Sequence, residues 1–320
     1  MAFNDHDTQD IMNPLDFYLS VVTILIIASI LCNGFIVTVN IMDWLKGKLL
    51  NPVDQILVAL SITNTGLSYS FWNYIFFTYF WPQFFFMDYV FPIVFTMMLF
   101  MTVSSSWLTA WLCLYFFAKI IHFKSSYLVK LKLTIDVAVP WLIVFSEVVA
   151  FSSSLPLAWT IFRSLPLNST SHNQTRPVVS FHINSMYNVF VLGFSSNSCF
   201  VIVLVSTICI VWSLCRHTYR MKKTMSSEEY FRMRTHRRAA QTVVSLLLIY
   251  ITFYVTYILM MSFFSSYNMS IYYWITVWVA LSTSPAMSMV FILGNSKLRL
   301  VFDKIFCSSP PLDSGSGGIV

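Results

Sequence analysis

Long apolar runs separated by short polar segments dominate this chain. Seven runs reach the roughly 20 residues that a helix needs to cross a bilayer core, near 18–42, 53–77, 87–116, 131–157, 187–214, 240–264 and 271–294. They are continuous rather than alternating, so they predict helices and not barrel strands, which alternate over segments of about ten residues. The fold class expected is an all-α membrane protein, a seven-helix bundle over 18–294 preceded by a short segment, 1–17. Beyond it, Lys297, Leu298, Arg299, Leu300, Phe302 and Phe306 predict an amphipathic helix over 295–307 on the inner leaflet. Residues 308–320 are rich in Ser, Pro and Gly and read as a disordered tail. Pro92, Pro140 and Pro285 fall inside runs, where neighbouring helices must re-satisfy the backbone groups that proline frees.

Charge gives the bundle its sidedness. The stretch 213–238 holds eight basic residues against Glu228 and Glu229, a balance of +6 that equals the formal net charge of the whole protein. A polybasic segment between two spans stays in the cytoplasm. Seven spans then put the N-terminus outside and the C-terminus inside. On that topology only Arg163 and Arg176 are external, so 17 of the 19 Lys and Arg residues are cytoplasmic. Asn168 and Asn173 begin glycosylation sequons and fall outside; Asn268, also in a sequon, lies close to the membrane. The first residues carry Asp5, Asp7, Asp10 and Asp16 and no basic residue, unlike a cleaved signal peptide, so the first run is expected to remain as an anchor. The six cysteines avoid the outer loops, and no disulfide framework is indicated. Cys307 reads equally as a palmitoylation site and as a plain thiol.

Composition agrees with the pattern. Hydrophobic residues make up 57% and charged residues 10%, where soluble domains average about 25% charged, and mean hydropathy is +0.71. The six histidines all sit in loops or tails, without metal-binding spacing, and no glycine-rich phosphate loop is present. No catalytic constellation, metal, cofactor or nucleic-acid partner is expected. The seventh run has no Lys for a retinal Schiff base. The third has no Asp deeper than Asp88 to anchor an amine.

Charges inside spans default to functional hypotheses. Asp136 and Glu147 are eleven residues apart and share one helical face. A proton path would use both; the plainer reading is that each bonds to polar neighbours. A ligand site in the outer half would instead be aromatic and weakly polar. Its candidates are Tyr79 in the second run and Phe95, Met98, Leu99 and Thr102 in the third. The fifth run adds Asn188, Val191, Leu192 and Ser195, and the sixth adds Phe253, Tyr257 and Met260. The seventh adds Tyr273, Thr276, Val277 and Ala280. Met and aromatic surfaces adapt to varied apolar ligands, though the same stripes also serve helix packing and lipid contact.

Segments on the cytoplasmic side carry a family resemblance. They are 32–48, from Cys32-Asn33-Gly34 to Lys46-Gly47-Lys48; 53–60, beginning Val53-Asp54-Gln55; and Trp107-Leu108 with 117–123. Trp212-Ser213-Leu214-Cys215-Arg216-His217, then His236 with Thr242-Val243, and 292–299, beginning Ile292-Leu293-Gly294-Asn295, follow in order. Together they resemble the type 2 (bitter) taste receptors, seven-helix G-protein-coupled receptors. Departures from the family's pattern mark a divergent, non-mammalian member: Asn64 in place of an Arg, Cys199 in place of a Pro, Met287-Ser288 in place of His-Ser, and Pro285. Met98 and Thr102 stand where members often carry Trp and Asn.

The resemblance implies a receptor, not an enzyme, in a multi-pass plasma membrane, including the ciliary or microvillar membrane of sensory cells. It would bind apolar or weakly polar bitter molecules and activate a gustducin or inhibitory-type heterotrimeric G protein. Contacts to that partner are expected from Lys119, Ile120, Phe123, Lys124, Arg216, His217, Arg220, Arg237 and Arg238. Asn33, Asn64 and Ser288 are candidates for an internal polar cluster that tunes basal signalling, with Trp107 and Pro285 as further activation residues. The alternatives are a type 1 vomeronasal-like pheromone receptor and, from another class, a proton-coupled transporter or channel using Asp136 and Glu147. Homo- or hetero-oligomers stay open.

Overall fold

The computed structural model describes residues 14–85, 87, 89–120, 126–164, 180–183, 186–187, 195–221, 227–264 and 271–306. Seven long helices occur among them: α1 (Pro14–Leu45), α2 (Pro52–Phe80), α3 (Val90–Ile120), α4 (Ser126–Ser154), α5 (Asn197–Met221), α6 (Ser227–Phe264) and α7 (Ile271–Gly294). An eighth, α8 (Ser296–Phe306), follows α7 almost directly. One-turn helices at Pro82–Phe85 and Leu157–Thr160 continue the chain after α2 and α4. The outer segment between α4 and α5 adds something the apolar pattern did not show. Strands β1 (Ile161–Ser164) and β2 (Ser180–Ile183) pair antiparallel, Ile161 opposite Ile183.

Local chemistry explains the helix ends. Proline opens α1 and α2 at a position whose N–H has no intrahelical partner, and Asp16 and Asp54 sit in first turns, where the helix dipole favours negative charge. Gly47, at φ +77°, closes α1: its N–H bonds to the Trp44 carbonyl at 2.9 Å, in a conformation other residues adopt at a cost. Pro92 lies inside its span, in the first turn of α3, where proline is tolerated. Pro140 and Pro285 do interrupt α4 and α7. Just before Pro285, the Ser282 and Thr283 hydroxyls bond back to the carbonyls of Val279 and Ala280.

Two boundaries differ in a way that matters. The basic stretch 213–238 is not mainly a loop. α5 continues to Met221 and α6 begins at Ser227, so most of the basic residues ride on helical extensions that project the two inner ends. The apolar runs could not show this, because those turns mix many charged residues with a few apolar ones and fall outside any continuous apolar stretch. α5 is continuous from Asn197, with a π turn at Ser195 and Ser196 just before it, and the expected start near 187 borders residues outside the described set.

α3 is the hub. It packs against α2, α4 and α5, while α7 bridges α1 and α6. About two thirds (67%) of the apolar window of α3 is buried, against 22% in α4 and α6. Five described stretches are long and apolar enough to cross a membrane. α2 is as long, yet it turns Ser61, Thr63, Asn64, Ser68 and Ser70 inward, which lowers its mean hydropathy.

The interior is layered. An outer apolar cluster includes Val22, Phe71, Phe95, Met98, Tyr257 and Trp274. An inner one includes Ile36, Leu60, Leu112, Leu246, Phe291 and Leu298. Between them runs a polar belt of Ser29, Asn33, Asn64, Ser68, Ser104, Ser105, Ser284 and Ser288, all buried. Lipid removes the usual hydrophobic drive for helix association, so close packing and such hydrogen bonds hold the helices.

Candidate functional site

The outer half of the bundle encloses a cavity between α2, α3, α6 and α7. Its deep chamber, about 40 Å³, is lined by Asn64, Ser68, Phe71, Thr102, Ser105, Tyr250, Phe253, Tyr257, Met260, Ala280, Ser284 and Met287, among others. A second chamber of about 60 Å³ shares Phe71, Thr102, Tyr257 and Met260 and adds Phe95, Met98, Leu99 and Tyr273. A third, bounded by Tyr74, Tyr79, Trp274 and Val277, lies beside it. These volumes lie well below the about 300–1,000 Å³ usual for small-molecule sites, so a ligand of that size must part the Tyr257 and Met260 side chains that the first two chambers share. No charged residue among the described ones lines any of the three chambers.

Most of the candidate ligand residues on α3, α6 and α7 therefore come together, with Tyr79 from α2. Thr276 is buried with its hydroxyl on the Tyr272 carbonyl and does not line these chambers. Ser195 is buried and accepts from Trp107 Nε1 at 3.3 Å, tying α3 to the start of α5. Asn188, Val191 and Leu192 fall outside the described residues, as do Asp88, Asn168, Asn173, Asn268, Cys307 and the tail. On α2 the sequence reading named Tyr79 as a ligand residue and missed the deeper lining. Asn64, Ser68 and Phe71, at i, i+4 and i+7, form one inward stripe, and that spacing was the available signal.

Aromatic rings close the cavity above. Tyr18 stacks on Trp274 at 5.2 Å, Tyr79 stacks on the same Trp at 5.8 Å, and the Tyr273 hydroxyl meets that of Tyr74 at 3.3 Å. Near the mouth, the Tyr187 hydroxyl donates to the Ser153 carbonyl and that of Tyr254 to Asn197 Oδ1.

The polar belt forms the floor. Ser288 Oγ donates to Asn33 Oδ1 at 2.8 Å, and Asn33 Nδ2 reaches Ser284 Oγ at 3.2 Å. Ser29 Oγ bonds to both Ser284 and Ser68, at 2.7 and 2.8 Å. Asn64 sits on the cavity side of this network and accepts from Ser105 Oγ at 2.8 Å. Pro285, next to Ser284, places the break in α7 at the same level.

The intramembrane carboxylates have separate partners, both on α3. Glu147 accepts from Ser104 Oγ at 2.6 Å. Asp136 pairs with Lys119 at 2.7 Å and accepts from the Tyr115 hydroxyl at 3.0 Å. They share a face, and eleven residues of helix keep them about 16 Å apart.

At the inner end a cleft of about 710 Å³ opens between α2, α3, α6 and α7, lined by Asp54, Leu57, Tyr115, Phe116, Ile120, Asp136, Thr242, Val243, Phe291 and Lys297, among others. Of the candidate G-protein contacts, Ile120 lines it directly and Lys119 is tied to Asp136 at its edge. Arg216 is exposed near the end of α5, its guanidinium over the Trp212 ring at 5.5 Å. His217 and Arg220 lie on α5, and Arg237 and Arg238 on α6, with side chains outside the described set. Phe123 and Lys124 lie outside the described residues.

One polar knot fixes this end. Lys297 Nζ reaches Asn40 Oδ1 at 2.7 Å, Asp43 Oδ2 at 2.9 Å and Asp54 Oδ2 at 3.3 Å. Asn295 donates to the other Asp54 oxygen at 3.2 Å. Burial works against the Lys297 ammonium, yet the Asp43 and Asp54 carboxylates outweigh it and raise its pKa above the usual value. α1, α2 and α8 are thereby locked together.

Known proteins match this chain over nearly its whole length. The sequence pattern of the family described as Taste receptor protein (TAS2R) matches residues 12–310. "Taste receptor type 2 member 40" of Gallus gallus is 26% identical over 286 residues, 87% of this chain and 90% of that receptor. "Taste receptor type 2 member 13" of Homo sapiens is 25% identical over 292 residues, 88% of this chain and 94% of that receptor. "Taste receptor type 2 member 140" of Rattus norvegicus is 25% identical over 286 residues, 87% of this chain and 89% of that receptor. A match that runs from ahead of α1 to beyond α8 takes in all the helices described above, and the chain belongs to the type 2 (bitter) taste receptor family, a multi-pass membrane receptor and not an enzyme.

Proposed function

We propose that this receptor binds small neutral bitter compounds in the cavity between α2, α3, α6 and α7 and activates a heterotrimeric G protein of the gustducin or inhibitory type from the plasma membrane of sensory cells. The observation that carries the reading is the uncharged, aromatic and methionine-rich lining of the cavity in a chain of this family. A buried charge without a partner costs several kcal/mol by order of magnitude, so the lining favours neutral ligands. A ligand shifts the receptor only if it binds the active arrangement better than the resting one. The polar floor links the cavity walls on α2, α3 and α7. At the inner end α6 meets α7 where Thr242 faces Gly294, and opening there would widen the cleft for a partner helix.

The test is calcium imaging of cells that express the full chain with a gustducin-like chimeric G protein, challenged with a bitter panel. A concentration-dependent response that disappears without the G protein supports the reading. A G-protein-independent current would support the channel alternative. The geometry gives that alternative little help, because Asp136 and Glu147 are engaged separately.

A further inference from the structure

The deep chamber carries one hydrogen-bond donor with nothing to donate to. Asn64 is only 3% exposed and lines the cavity. Its Oδ1 is held by Ser105, but its Nδ2 has no partner. A hydroxyl has one proton to give, and those on the same walls are committed. Thr102, Thr109, Thr256 and Thr283 donate back to carbonyls of their own helices. Ser68 and Ser284 are held in the network with Ser29 and Asn33. Tyr250 and Tyr257 are bonded to Ser106 and Ser196. These groups still offer lone pairs, so acceptors are plentiful and Asn64 Nδ2 is the uncommitted donor among the described lining residues.

We propose that Asn64 is the polar anchor of the cavity, selecting neutral apolar ligands that carry a carbonyl oxygen and seat that oxygen at its floor. The inference rests on the cavity's being the ligand site. Its logic is that of any buried polar group. A ligand with an acceptor completes the bond; one without it displaces water from the amide and leaves the donor orphaned. A cationic ligand finds no carboxylate to pair with in these walls. Asn64 lies about two helical turns from Phe71 along α2. Once the shared Tyr257 and Met260 side chains part, Phe71, Phe95, Met98 and Tyr273 hold an apolar body while its oxygen reaches the amide.

The experiment uses matched probes on the full receptor with the G-protein calcium readout. Camphor and coumarin carry a carbonyl, bornane and 2H-chromene are the same skeletons without it, and bornylamine is the cationic counterpart. Three proteins are compared: the unmodified chain, Asn64→Leu, which keeps the shape and removes the donor, and Tyr257→Ala, which damages the cavity wall elsewhere. Surface expression is measured for each. On the unmodified chain the ketone and lactone are expected to act at concentrations at least about tenfold below their carbonyl-free parents, and bornylamine to be inactive. Asn64→Leu should raise the half-effective concentration of both carbonyl probes by about tenfold, the loss of one buried hydrogen bond. Equal potency of camphor and bornane on the unmodified chain overturns the inference, and that comparison needs no mutant to fold. Responses that Tyr257→Ala abolishes and Asn64→Leu leaves unchanged overturn the anchor and keep the cavity. Silence to every probe, or responses indifferent to both substitutions, overturns the cavity reading and the anchor with it.

Discussion

Replacing Lys297 by Met should destabilise the inner end far more than its position beside an open cleft suggests. The ammonium is shared by Asn40, Asp43 and Asp54 at 2.7, 2.9 and 3.3 Å. These partners are not equivalent. Asp43 also faces Lys48 at 3.4 Å, at the exposed end of α1. The Asp54 side chain is 4% exposed, and without Lys297 it keeps only the neutral Asn295 amide. Removing one member of a buried pair costs about 3–5 kcal/mol. Lys297 is 29% exposed, so water can partly replace it. We therefore expect about 2 kcal/mol, roughly a thirtyfold shift in the folding equilibrium. Asp43→Asn should cost clearly less, because Lys297 keeps Asp54 and Asn40 and no buried charge is stranded. The double variant Lys297→Met with Asp54→Asn should recover much of the loss, because the stranded charge is gone. The assay is thermal denaturation of purified receptor in detergent, alongside its surface level in cells. Strictly additive effects of the Lys297 and Asp54 substitutions would refute the coupling, as would an Asp43→Asn loss as large as that of Lys297→Met.

Three further outcomes follow from the same geometry. A Cβ on Gly294 would lie 2.7 Å from Thr242 Cγ2, and threonine is stiff. Gly294→Ala should therefore push α6 from α7 and raise basal G-protein signalling, and adding Thr242→Ala, which leaves only the Cβ at 3.4 Å, should restore it; unchanged basal signalling would contradict this. Glu147→Gln keeps an acceptor for Ser104, so agonist responses and stability should change by less than about 1 kcal/mol, whereas abolished signalling would revive the proton path. Because the Lys297 pKa is raised, the contribution of the knot is complete below the ordinary value of 10.5 and is lost only as pH rises through the higher folded value. Its contribution to thermal stability should thus be flat between about pH 6 and 9, and a stability loss in that window that depends on Lys297 would contradict the assignment.

The apolar pattern made the seven spans legible because each must present some 20 apolar residues to lipid, and α7 ends at Gly294, where the pattern placed it. The pattern did not show how far α5 and α6 project inward. Those turns meet no lipid, and their helical state comes from continuing a helix already nucleated. β1 and β2 escaped for a similar reason, being short and outside the membrane. Within the cavity, the aromatic and Met positions of α3 and α6 stood out as stripes, whereas the part played by α2 hid among Ser, Thr and Asn residues that look like generic packing. Asp54, Asn295 and Lys297 were visible only as pieces of separate motifs. Their meeting depends on the turn from α7 into α8, which no local period records.

The central claim is that a ligand acts from inside the bundle. It is tested most directly by two neighbours on α6: Tyr257, buried and lining the cavity, and Leu259, 41% exposed on the outer face. The measurement is the concentration–response curve of a G-protein-dependent agonist on Tyr257→Ala and on Leu259→Ala, at matched surface expression. We expect the first to shift the curve by tenfold or more, the loss of an aromatic wall, and the second to leave it within about twofold. Equal shifts, or a shift in Leu259→Ala alone, would place the ligand outside the cavity and contradict the account.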